Sequence, residues 1–220
     1  MEKFLKAERL KPELLPYLYE NNSFLVLRHP LICCNVYDLE RCAYINTLHD
    51  IKQAEISQYF ACQDFIAYIW AHSKSFRINA FSKVLEISSV TNEDYWHILS
   101  RIWRDGIEPH ENYSLWLYLL SKDIPARHRM MTEENYTTLL KMPEEFQVYR
   151  GGKLEVDLGL SWTRNPQVAK YFQYKAKKAG FESSLQVGTV KNSDVIAYFT
   201  EDGKEEIIST QVKVSEIVHN

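Results

Sequence analysis

The chain has 220 residues, 45% of them hydrophobic and 25% charged, which is enough to bury one large core or two small ones. Its 26 Lys and Arg against 29 Asp and Glu leave a formal net charge of −3, which excludes a polybasic, histone-like nucleic-acid binder but leaves room for a local basic patch. With 7 Gly, 7 Pro and no biased runs, collagen-like, linker and disordered architectures are excluded too.

The opening Met1-Glu2-Lys3-Phe4-Leu5-Lys6 mixes acid and base and has no long apolar stretch behind it, so it does not read as a secretory signal. The longest apolar patches, around 65–70 and 115–120, are interrupted and fall short of the roughly 20 residues of a membrane span. A soluble, cytoplasmic protein is the expectation. Cys33, Cys34, Cys42 and Cys62 lack the paired spacings of zinc ribbons, and reduced structural thiols are expected, with Cys33-Cys34 packing in a core behind Leu31-Ile32. His29, Cys33, Cys42 and His49 could be assembled into a zinc set on paper, but no metal is expected.

The first half reads largely as helices. Over 49–72, Ile51, Ala54, Ile56, Phe60, Phe65, Ile66, Ile69 and Trp70 recur at helical spacing, which predicts one long amphipathic helix with Asp50 near its start as the cap. A helix follows over 79–90. Thr91-Asn92-Glu93-Asp94 then opens another over 95–104, where Trp96, Leu99 and Trp103 lie three and four residues apart as a core stripe, and Asp105-Gly106 ends it. Leu115, Trp116, Leu119 and Leu120 mark one face of a helix over 112–121, and Thr132-Glu133-Glu134 starts one that runs to 140.

At Pro143 the pattern changes. Phe146-Gln147-Val148-Tyr149-Arg150 alternates like a half-buried strand, and Gly151-Gly152 is expected to break it. A short extended segment over 158–162 precedes a helix over 165–179 started by Asn-Pro, and strands are predicted over 186–191, 195–199, 206–209 and 212–218. Glu201-Asp202-Gly203 supplies turn chemistry between two of them. No internal repeat is present.

Three short elements of the second half occur in the order arginine, serine, glutamate: Tyr149-Arg150-Gly151-Gly152 at the end of a strand, Gly159-Leu160-Ser161-Trp162-Thr163 before a helix, and Lys204-Glu205-Glu206-Ile207-Ile208 at the head of an apolar strand. That set resembles the mono-ADP-ribosyltransferases of the arginine-serine-glutamate class, which split NAD and pass ADP-ribose to an acceptor. The resemblance covers about 146–214, a third of the chain. An upstream run with Trp96, Trp103, Asp105, Glu111-Asn112, Trp116 and then 143–152 is similar to the corresponding region of small phage and prophage-encoded proteins of this type.

The resemblance implies an α+β fold: a helical portion over 1–130 that recognises a target or acts as scaffold, and a split β-sandwich catalytic core over 131–220 with NAD in the cleft between sheets. It also implies roles. Glu206 is the carboxylate that stabilises the cationic ribose, Ser161 holds Glu206, and Arg150 takes the pyrophosphate, a task its planar donors suit, with neighbouring Gly151 letting backbone approach. Thr163 supports the site or its backbone, and Tyr171 or Phe172 offers a ring to nicotinamide or, alternatively, to core packing. Trp162 points away into packing, and Glu205, in an extended strand, faces away from Glu206. The acceptor is an intracellular protein or nucleic acid, and the source a bacterium or phage using the protein as an effector.

One departure bears on the acceptor. Enzymes of the class that modify arginine carry Glu two residues before the catalytic one, and others carry Gln; here Lys204 stands there, which disfavours a guanidinium acceptor and favours a less basic or anionic one. Arg164, Lys170, Lys175, Lys177 and Lys178 follow with no acid between Arg164 and Gly180, either as a solvated helix face or as a guide for phosphates. Two alternatives to the transferase are an NAD glycohydrolase, with water as acceptor, and an inactive interaction module of the same fold. No phosphate loop and no dinucleotide-binding glycine fingerprint is present, so NAD would be bound in a non-Rossmann way.

Overall fold

The computed structural model describes residues 9–21, 24–34, 41–105, 112–154 and 159–219. The expectations at Gly106, Glu111 and Leu158 lie outside the described residues. The chain forms two compact units, Met1–Ser89 and Val90–Asn220. Both mix helices with antiparallel sheet, so the class is α+β. Among the described residues no helix is long and apolar enough to cross a membrane.

The first unit is less helical than its sequence suggests. Strands β1 (Leu18–Asn21), β2 (Phe24–Arg28) and β3 (Cys33–Cys34) form a small antiparallel sheet, with Leu18 opposite Leu27 and Arg28 opposite Cys33. Cys33 is exposed instead of packed, whereas Cys34 lies against a core of Leu10, Leu14, Leu27, Leu31, Ile32, Cys42 and Ile45. All four cysteines are free thiols.

The single helix expected over 49–72 is two. Helix α1 (Cys42–Ala61) starts well before Asp50, whose carboxylate pairs with Lys11 instead of capping. Gln63 then takes a left-handed conformation (φ 59°), a costly geometry for a residue with a Cβ, and Asp64 caps α2 (Phe65–Ala71) by accepting from the Ala67 amide at 3.0 Å. Helix α3 (Arg77–Ile87) completes the unit and buries Ile78, Ala80, Phe81 and Val84.

In the second unit, α4 (Asn92–Arg104) matches its sequence signals closely. Thr91 accepts from the Asp94 amide at 3.1 Å, Glu93 and Asp94 occupy the first turn, and Arg101 and Arg104 the last, so both ends complement the helix dipole. Its buried polar groups are anchors. Tyr95 donates to the Leu119 carbonyl at 2.7 Å, Trp96 to those of Ile124 and Pro125 at 3.1 Å each, and Ser100 to that of Met130 at 2.6 Å. These bonds hold α5 (Tyr113–Leu120) and the segment 121–130 on α4.

Helix α6 (Glu133–Leu140) is tied to the strand region in turn. Thr200 donates to Asn135 at 2.9 Å, and the Asn192 amide donates to the Leu139 carbonyl at 2.8 Å. The helices over 92–140 therefore belong with the large sheet, and the division falls after Ser89, not near residue 130.

That sheet has six antiparallel strands in the order β7-β8-β5-β4-β6-β9: β4 (Glu145–Lys153), β5 (Ser161–Thr163), β6 (Ser183–Lys191), β7 (Ala197–Phe199), β8 (Glu206–Ile208) and β9 (Lys213–His219). Strand β4 pairs with β6 along its whole length but meets β5 only at Tyr149 opposite Thr163. Helix α7 (Pro166–Lys178) lies on the sheet, capped by Asn165, which accepts from Gln167 at 3.0 Å.

Gly151-Gly152 does not break β4. A Cβ at Gly151 would sit 1.8 Å from the Ala169 carbonyl oxygen and 2.9 Å from the Gln173 amide nitrogen, so the strand is thin there because the backbone of α7 crosses it.

Candidate functional site

The site is built where β4, β5 and β8 come together. Thr163 stands opposite Glu206 and Ser161 opposite Ile208, so Ser161 and Glu206 are diagonal neighbours on one face of the sheet. The Ser161 hydroxyl donates to Oε1 of Glu206 at 2.5 Å, and Arg150 Nη1 donates to the Ser161 carbonyl at 3.0 Å. The three residues singled out in the sequence thus form one connected chain, although Ser161 and Glu206 are 45 positions apart.

The approach to Glu206 is held from the end of β5. Thr163 donates to the Lys204 carbonyl at 2.5 Å and accepts from the Asn165 amide at 3.0 Å, and the Arg164 amide donates to the Glu205 carbonyl at 3.1 Å. Glu205 is not extended as expected. It sits in the left-handed region at φ 46°, a strained conformation that redirects the chain after the Glu201–Gly203 turn so that Glu206 enters the strand facing Ser161. Thr163 is therefore a clamp on this turn, with its hydroxyl fully engaged.

Two contributors were not legible as site residues. Trp103, read as core, is buried and packs edge-on to Trp116 at 5.0 Å, yet its indole N–H points at Oε1 of Glu206 at 3.3 Å. Both donors thus converge on one oxygen and leave Oε2 without a donor among the described residues. The other is Gly159, part of the serine motif: a Cβ there would stand 2.3 to 2.5 Å from the Arg150 guanidinium and its stem, so only glycine lets Arg150 occupy its position. Gln186, opposite Arg150 in the β4–β6 pairing, is buried with its Oε1 unpartnered among the described residues.

The electrostatics follow from burial. Desolvation pushes Glu206 above the ordinary carboxylate range; the hydrogen bonds from Ser161 and Trp103 and the charge of Lys204 oppose the push, and the charge of Glu201 adds to it. Burial also lowers the Arg150 guanidinium from its usual value. Arg150 has no carboxylate partner among the described residues, and an anion brought to it would regain the stabilisation that desolvation removed.

Beside Glu206 lies a cavity of about 250 Å³ lined by Arg104, Phe199, Glu201, Lys204 and Glu206. It is smaller than the roughly 300–1,000 Å³ of pockets that enclose a drug-sized ligand, so it admits one end of a larger molecule. Arg104 pairs with Glu201 at 2.5 Å across its rim.

The remaining expected residues are placed differently. Gly151 faces α7 and leaves no open approach for a ligand, whereas nothing stands within 4 Å of a Cβ built at Gly152. Tyr171 is 57% exposed and Phe172 41%, so neither is core; the ring neighbours of Tyr171 are Phe172 and Lys175. Trp162 is packed as expected, in a cluster with Leu139, Phe146, Val148, Val190, Val195, Tyr198 and Ile207. In the first unit the rings of His29 and His49 meet at 4.9 Å, but among the described residues no three His, Cys, Asp or Glu are grouped to hold a metal ion.

No match to the chain was found among protein-family models, curated proteins or solved structures.

Proposed function

We propose that the second unit binds NAD, cleaves its nicotinamide glycosidic bond and transfers ADP-ribose to an acceptor. The observation that carries this reading is the chain Arg150, Ser161, Glu206, with a half-buried carboxylate held by a serine hydroxyl on the diagonal position of the neighbouring strand and a half-buried guanidinium, without a carboxylate partner among the described residues, bonded to the same serine's carbonyl. The sheet supports it as well. Two three-stranded groups, β7-β8-β5 and β4-β6-β9, meet at one register pair, the kind of division expected of a split β-sandwich with a ligand cleft.

The chemistry then follows from the residues. As the C–N bond breaks, its electron pair leaves with nicotinamide, which becomes neutral, and positive charge develops on the ribose. Glu206 offers a carboxylate to that charge, with Oε1 fixed by Ser161 and Trp103 and Oε2 available to a ribose hydroxyl. Arg150 offers its remaining N–H groups to the pyrophosphate. The acceptor attacks the anomeric carbon and loses its proton, and Lys204 at the cavity makes an anionic or weakly basic acceptor more favourable than a guanidinium.

The test is nicotinamide release from NAD by the purified protein and by Glu206→Gln, with labelled NAD and cell lysate present. Release that disappears in the variant supports the reading. Label on protein or nucleic acid indicates a transferase, and free ADP-ribose alone indicates a glycohydrolase. Neither release nor NAD binding would overturn the proposal in favour of an inactive interaction module.

A further inference from the structure

Helix α7 buries Ala169, Gln173 and Ala176 against the sheet, a set with helical spacing that fixes which side faces outward. On the opposite side Tyr171, Tyr174, Lys175 and Lys178 follow at i, i+3, i+4 and i+7, all exposed, with Lys170 and Lys177 along one flank. Tyr171 and Tyr174 are 57% and 60% exposed, and the Lys175 ammonium lies 5.7 Å from the Tyr171 ring centre. Beyond the helix the pattern continues: exposed Phe181 carries Lys153 over its ring at 3.6 Å.

The sequence over 164–181 has no acid, although the chain as a whole has a net charge of −3, so this face is a local concentration of positive charge. Lysines in the last turn also complement the helix dipole. That does not account for the aromatic rings placed between them in solvent, where burial would stabilise them more.

We propose that the outward face of α7 is a docking surface for a single-stranded nucleic acid. Lysine ammonium groups match its phosphates, and the exposed tyrosine faces match unstacked bases, which a duplex does not offer. The rings on the outward face are tyrosines interleaved with lysines, which suits a phosphate-and-base ligand; Phe172 and Phe181 are the exposed apolar groups a lipid interface would take up, and the vesicle probe below tests that partner. Binding here is independent of NAD cleavage, and the two proposals can fail separately.

The experiment is fluorescence anisotropy of the full chain with labelled oligo(dT) and oligo(U) over a salt series, with duplex DNA, heparin and anionic vesicles as comparison probes. Two variants are used, Tyr171→Ala/Tyr174→Ala and Lys175→Gln/Lys177→Gln/Lys178→Gln, each checked for native circular dichroism. We expect single strands to bind more tightly than duplex, with affinity falling steeply as salt rises. Each variant should weaken binding on the order of tenfold or more, the first through lost stacking and the second with a shallower salt slope. Absence of binding to single strands would overturn the proposal. So would equal binding of heparin with no effect of the tyrosine variant, or capture by vesicles alone.

Discussion

The two units each bury titratable side chains, and they do so with opposite outcomes. In the first, His29 is 7% exposed, its ring meets those of Tyr17 at 4.5 Å and His49 at 4.9 Å, and its Nδ1 accepts from the Leu31 amide at 3.2 Å. Among the described residues no ion pair is made with its ring. Burial and the neighbouring His49 and His72 lower its pKa to about 4, and the buried Nδ1 of His49 has no hydrogen-bond partner among the described residues. In the second, Glu206 is also pushed towards its neutral form by burial, but the charge of Lys204 and two donors, Ser161 and Trp103, which converge on one oxygen, oppose it. The difference teaches how to separate a titratable group that packing alone surrounds from one that its surroundings partly support: at His29 burial and neighbouring histidines act together against the charge, whereas at Glu206 two hydrogen-bond donors and a lysine oppose the effect of burial.

The largest expected effect breaks the second half of this comparison. Glu206→Gln keeps the shape and removes the charge, and nicotinamide release should fall by on the order of a hundredfold or more, as when one preorganised electrostatic group is removed from an active site. Ser161→Ala should reduce the rate less and move the acid limb of its pH profile upward, because the carboxylate loses a donor to its charged form. An unchanged limb would mean that Ser161 does not hold Glu206 under the assay conditions.

The next effect concerns stability of the first unit. His29 at about 4 folded and near 6.5 unfolded means that the native state binds fewer protons between those values. Stability is therefore full above about pH 6.5, falls as pH drops towards 4, and levels below, by on the order of 3 kcal/mol in total. Hydrogen exchange of α1 amides across this range is the measurement, and His29→Gln should flatten the response. Equal pH dependence in the variant would move the effect to another group.

How much of this was readable in the sequence depends on how local its causes are. Helices α4 and α7 announce themselves through Thr91 and Asn165, which cap them, and through stripes that need no distant partner. The sheet β1-β2-β3 did not, since strands of 4, 5 and 2 residues carry little periodicity and are defined by pairing. Gly151-Gly152 carried the signature of a turn, but the reason for glycine at 151 is a helix crossing behind it. Arg150, Ser161 and Glu206 were singled out from a resemblance, and in the structure two hydrogen bonds connect them. Trp103 could not have been assigned, because a stripe says that an indole is buried and not where its N–H points.

Gly159→Ala should give a smaller, differently shaped defect. The new methyl group would crowd the Arg150 guanidinium, a disturbance of about 1–3 kcal/mol for an overpacked site. If Arg150 binds the pyrophosphate, KM for NAD should rise several-fold with kcat less affected. A fall in kcat at constant KM would place Arg150 in the bond-breaking step instead.

Trp103→Phe is the finest probe of the comparison, because it keeps the aromatic packing against Trp116 and removes only the N–H. At 3.3 Å this is a long hydrogen bond, so its loss should reduce the rate only a few-fold, at the lower end for a bond to a charged group. The direction of the accompanying shift carries more information than its size. Removing a donor that favours the carboxylate pushes Glu206 further above its ordinary range, so the acid limb moves to higher pH and the deficit is greatest at low pH, vanishing where Glu206 is fully ionised. A merely structural indole would give a loss independent of pH. Trp103→Phe thus distinguishes a helix that packs beside the carboxylate from one that helps to keep it charged.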